Sequence, residues 1–173
     1  SSFLCKKSSY ISLFTSSDPF HLRKNKVKHF MVTNTSAIKN ILGLKLPSDP
    51  RWVNLAEKSL EEILTDHAYC EQKAATSCIS LIQRYNEKEK LVKELAPIVT
   101  EEWGHFRQVL AELEKRNLKL GRQRKDEYVN ALLEFQQKGG DAEGRLLDQL
   151  LTMALIEARS CERFKRLSEG LND

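Results

Sequence analysis

Leu60, Leu64, Ala68, Glu71, Ala75, Cys78 and Ile82 follow one another at steps of three and four residues. That spacing lines side chains up along one side of an α-helix. The stripe lasts about six turns, and it predicts one long helix from about Val53 to Tyr85. A second helix is expected from near Glu87 through Ile98, Glu102, His105, Val109 and Leu113 to about Asn117, with Pro97 marking a kink or a restart. A shorter helix should run from about Lys125 to Lys138, stopped by Gly139 and Gly140. Asp141 can then cap a helix from Ala142 to about Leu167, whose apolar positions include Leu146, Leu150, Met153, Ala154 and Cys161. No segment reads as a strand, and only seven Gly and four Pro are present. The expected fold is therefore all-α, an antiparallel helical bundle.

With 173 residues, 40% of them hydrophobic and 30% charged, one soluble domain over 31–173 is expected. No apolar run is long enough to span a membrane. Residues 1–30 are Ser-rich and basic without helical periodicity, and read as a disordered extension. Met31 as the true start accounts for them better than a transit peptide does. Thr35 and Ser36 could cap a short helix from Ala37 to Leu42, ended by Gly43, before the extended entry L-K-L-P-S-D-P-R-W. Cys5, Cys70, Cys78 and Cys161 form no C-x-x-C pair and read as reduced thiols of a cytosolic, cytoplasmic protein. Trp52 and Trp103 are assigned to packing.

Glu71 interrupts the apolar stripe of the first long helix among Ala68, Ala74 and Ala75. A carboxylate buried without compensation costs several kcal/mol, so a cation or a proton has to be near it. Glu102 and His105 form Glu-x-x-His on the next helix, which puts both on one face. An inward Glu on one helix and Glu-x-x-His on its partner make half of a carboxylate-bridged di-iron or di-manganese site. The last long segment offers Glu157 and Glu162; Glu157 has the more apolar surroundings, and Glu162 is close behind. A surface ion pair with Arg159, Arg163 or Arg166 is the plainer account of either. His67, with Asp66 beside it, suits hydrogen bonding to a ligand better than ligation. Lys115, Arg116, Lys119, Arg122, Arg124 and Lys125 fall in a stretch without acidic residues, which suits either a phosphate backbone or a solvated helix end.

The blocks D-H-A-Y-C-E-Q-K-A-A (66–75), E-E-W-G-H-F (101–106), G-R-Q-R-K-D-E-Y (121–128) and L-I-E-A-R-S-C-E-R-F (155–164) together resemble the bacterial tRNA 2-methylthio-N6-isopentenyl-adenosine hydroxylases. The resemblance covers roughly Ile38 to Leu167. It implies a ferritin-like four-helix bundle and a non-haem di-iron centre of two iron ions. It also implies O₂-dependent monooxygenation of the isopentenyl group on the adenosine next to the anticodon, with tRNA and an electron-donor protein or reductase as partners. Glu71, Glu102, His105 and Glu157 or Glu162 would ligate, and the 115–125 stretch would contact tRNA. The resemblance also calls for a second Glu-x-x-His after Glu162, which this sequence lacks. A truncated or degenerate member, binding metal poorly and exposing apolar faces, is the expectation that follows. Two other readings remain: a non-catalytic helical module that binds RNA or protein, and a ferritin- or rubrerythrin-like oxidase.

Overall fold

The computed structural model describes residue 44, residues 46–49 and residues 51–170. The extension over 1–30 and the short helix from Ala37 to Leu42 lie outside the described residues, as does Cys5. Among the described residues there are five helices and no strand, as the periodicity requires: α1 (Arg51–Lys58), α2 (Leu60–Arg84), α3 (Glu89–Lys115), α4 (Glu127–Glu134) and α5 (Ala142–Gly170). No described helix is long and apolar enough to cross a membrane. The chain divides into two compact units. One is Pro50–Met153; in the other the described residues are 44, 46–49 and 154–170.

Within Pro50–Met153 the dominant packing is α2 against α3. Ala68 packs with Phe106 and Val109, whereas Glu71, one turn later, meets His105, one turn earlier. The two helices therefore run antiparallel. Their buried sides include Ala68, Glu71, Ala75 and Cys78 on α2, as expected, and Ile98, Glu102, Val109 and Leu113 on α3, where Phe106 is buried in place of the partly buried His105. The short turn between them is tied to the first turns of α5. There the Tyr85 hydroxyl donates to the Ala142 carbonyl at 3.2 Å, and Lys88 pairs with Glu143 at 3.3 Å.

Several boundaries differ from the expected ones. The helix expected over Val53–Tyr85 is interrupted at Ser59, which leaves its helical dihedrals and begins α2 without a side-chain cap. Pro97 neither restarts nor ends α3, which continues across it. Pro97 and Lys93 are both exposed, so water can satisfy the carbonyl that the missing N–H leaves behind. α4 is shorter than Lys125–Lys138. Asp126 caps its first turn by accepting from the Val129 N–H at 3.1 Å. Beyond Phe135, Gln136 and Gln137 turn to Thr152 and Asp148 instead of extending the helix. Asp141 caps α5 as expected, accepting from the Gly144 N–H. α3 ends where expected, with Asn117 in the left-handed region at φ 57°. The Leu118 N–H reaches back to the Leu113 carbonyl at 2.9 Å and the Asn117 N–H to Glu114 at 3.0 Å, a Schellman closure for which Asn is one of the few tolerated residues.

Candidate metal centre

The middle of the α2–α3 pair carries Glu71, Glu102 and His105. Glu71 is 1% and Glu102 is 3% exposed, held there by the apolar residues before and after each of them on the same helical side. His105 Nδ1 faces both carboxylates, lying 3.6 Å from Glu71 Oε2 and 3.7 Å from Glu102 Oε2. One ligand atom from each residue fits within a 4.8 Å cluster. These separations are wide for direct hydrogen bonds. They are close to the edge of a coordination polyhedron with bonds near 2.1 Å, roughly 3.0–3.4 Å. Two hard carboxylates and one imidazole suit a first-row divalent cation such as iron, manganese or zinc. The residues therefore fit a metal, and buried negative charge gives the fold a reason to take one.

His67, one turn before Glu71, puts Nδ1 3.2 Å from Glu71 Oε1, so an imidazole stands against the oxygen that His105 does not face. Asp66, expected to share this role, is elsewhere. One step around the helix, it binds the Arg124 guanidinium at 2.6 and 3.1 Å. Cys70 is next to Glu71 in sequence. Burial, with the fields of Asp126 and Glu71, pushes its thiol up to about 11, so it stays protonated at neutral pH. Gly104, inside the Glu-x-x-His, has open space where a Cβ would stand, so close packing does not require glycine there. Trp103 is 45% exposed, with its ring centroid 5.0 Å from that of Phe106, so packing takes up only part of its surface.

In the other unit, Glu157 and Glu162 are both buried but have different partners. Glu162 receives the Ser48 hydroxyl at 2.6 Å and the Ser48 N–H at 2.9 Å, Arg159 at 3.1 Å, and Arg166. Burial alone would raise its carboxyl, but Ser48, Arg166 and Arg159 outweigh it and hold the group at about 2. Glu157 accepts from the Cys161 thiol, a weak donor, at 3.4 Å.

The basic stretch is two different things. Lys115 and Arg116 lie at the end of α3, paired with Glu112 at 4.0 and 2.6 Å. From residue 118 the chain is extended and pinned along α2, forming a strap. The Lys119 N–H donates to Glu61 at 3.2 Å and the Gly121 N–H to Thr65 Oγ1 at 3.1 Å. The Tyr69 hydroxyl donates to the Gly121 carbonyl at 3.1 Å, and Arg124 bridges Glu62 and Asp66. Lys119, Arg122 and Lys125 are exposed on this strap. Thr65, Tyr69 and Glu62 have no mark in the sequence beyond their three- and four-residue spacing, because their partners are more than fifty positions away.

A family model described as tRNA-(MS2IO6A)-hydroxylase (MiaE) matches residues 33–173. A tRNA 2-(methylsulfanyl)-N(6)-isopentenyladenosine(37) hydroxylase of Pseudomonas putida is 34% identical over 130 residues, 75% of this chain and 62% of that protein. A protein of the same name from Salmonella typhimurium is 24% identical over 75% of this chain and 66% of its own length. The chain thus spans just under two thirds of either relative.

Proposed function

The chain belongs to the tRNA-(MS2IO6A)-hydroxylase (MiaE) family, and from that premise we propose that the protein hydroxylates the isopentenyl group of 2-methylthio-N6-isopentenyl-adenosine next to the tRNA anticodon. The observation that carries the reading is the buried Glu71–Glu102–His105 cluster on two packed helices. In this reading the metal is iron, two ions per site. The chemistry such a centre supplies when bound is reductive use of O₂: one oxygen atom enters a C–H bond and the other leaves as water, with two electrons from a donor protein or reductase.

The chain's own residues hold and tune that centre. Glu71 and Glu102 supply charge, and His105 supplies a neutral nitrogen from the same face. His67 orients Glu71 through the oxygen that His105 leaves to it. Burial keeps bulk water from the carboxylates, which strengthens their attraction for a cation. In the other unit, Glu162 is committed to Ser48 and two arginines. Basic residues within 115–125 hold tRNA by its phosphates, and discrimination comes from the pocket that takes the modified base. A tRNA substrate implies a cytoplasmic protein.

The test pairs metal analysis with product analysis on the intact protein. Loaded with Fe(II) and given reductant, O₂ and tRNA carrying the 2-methylthio-isopentenyl group, it should form the hydroxylated nucleoside, detected by mass spectrometry. Glu71→Gln and His105→Ala should each lower iron content and product at least tenfold. Normal hydroxylation by either variant would remove the assignment of the site.

A further inference from the structure

Six cations in 115–125 look equivalent in the sequence, but the structure separates them. Lys115 and Arg116 share the carboxylate of Glu112, and Arg124 bridges Glu62 and Asp66. Lys119, Arg122 and Lys125 are exposed, and among the described residues none of them pairs with a carboxylate. A fourth open cation comes from α2. Lys73 lies four residues after Tyr69 and seven after Asp66, on the helix face along which the strap is pinned. Lys73, Gln123, Arg124, Lys125, Asp126 and Asn130 line one open cleft between α2, the strap and the start of α4. Asp126 already occupies the first turn of α4, so an anion in this cleft would be held by side chains.

Resting on the tRNA reading above, we infer that Lys73, Lys119, Arg122 and Lys125 form the RNA-phosphate cradle, and that Arg124 is a positioning residue that pins this cradle to α2. A polyanion is the ligand that open cations and the amide groups of Gln123 and Asn130 suit together. Arg124 spans two carboxylates as a fork, a geometry that a point charge cannot reproduce. The pinning also links the cradle to the metal centre. Thr65, Asp66 and Tyr69 hold the strap from the same turns of α2 that carry His67 and Glu71. Gly121 makes the close approach possible, since a Cβ there would stand 3.3 Å from Thr65 Oγ1.

The experiment measures binding of the 173-residue chain to a fluorescent anticodon stem-loop RNA by anisotropy across a salt series. Lys73→Glu, Arg122→Glu and Lys125→Glu should each weaken binding roughly 5- to 20-fold and lower the salt slope by about one. The positioning role of Arg124 is read from Asp66→Asn, which removes one of its two partners. If Arg124 itself held phosphate, freeing it would tighten binding. As a pin, its loss of Asp66 should weaken binding about as much as Arg124→Gln does, and Arg124→Lys should not rescue it. Charge reversals that leave salt-sensitive RNA binding unchanged would overturn the cradle, and tighter binding by Asp66→Asn would overturn the pin. An unaltered chain with no salt-sensitive RNA binding would overturn the tRNA reading itself. Metal content, measured in parallel, stays at the unaltered level in every cradle variant if the two sites are separate.

Discussion

Glu102 is 3% exposed and sits beside Glu71, so two carboxylates share a site from which water is largely excluded. Each is destabilising by several kcal/mol to the extent that its charge is not compensated, and a bound cation relieves both at once. Glu102→Gln should therefore raise the stability of the metal-free chain by about 1 kcal/mol. It should also abolish the rise in Tm expected of the unaltered chain on adding Mn(II) or Fe(II). Thermal melts with and without metal check both effects. Glu162 makes the opposite case. Its carboxyl is held at about 2 against an ordinary 4.5. The stability it contributes is fully present above about 4.5 and is lost as pH falls from there through 2. Glu162→Gln should thus cost on the order of 1–2 kcal/mol at pH 7, discounted for partial exposure, with the difference vanishing near pH 2. Urea titrations over that range read it directly. The sequence could single out Glu71, Glu102 and His105 because each breaks an apolar stripe. It put Glu157 only narrowly ahead of Glu162, because Ser48, which binds Glu162, is 114 positions away.

At the scale of elements, periodicity located the helices and local chemistry ended them. Asn117, Asp126 and Asp141 sit where a left-handed cap and two N-caps belong, and the structure uses all three. Pro97 was less legible, because its effect depends on which side of α3 it occupies, and on the solvent side the helix absorbs it. The end of α4 was also hidden. Gln136 and Gln137 could continue a helix, but they bond to Thr152 and Asp148 on α5 instead. The α2–α3 interface is tight at its far end, where Leu113 is 2% exposed. Leu113→Ala should cost about 3 kcal/mol by leaving a cavity beside the α3 cap. Its urea midpoint should fall with the m-value unchanged; a loss under 1 kcal/mol would mean that the site collapses freely.

Across the whole molecule, the proposed metal and RNA roles fall on two sides of one helix. α2 turns Ala68, Glu71 and Ala75 toward α3, and Glu62, Asp66, Tyr69 and Lys73 toward the strap. The all-α fold, the long helices and the placement of Glu71, Glu102 and His105 on the apolar sides of their helices were determined by the sequence itself, since they depend on spacings of three and four residues that a single helix makes physical. Only the tertiary structure decided which charges remain open. Neutralisation happens between residues far apart in the chain, as when Arg124 meets Glu62 and Asp66 or Glu162 meets Ser48. A charge in a sequence is a formal count, whereas its force on a ligand depends on the carboxylate a few ångströms away.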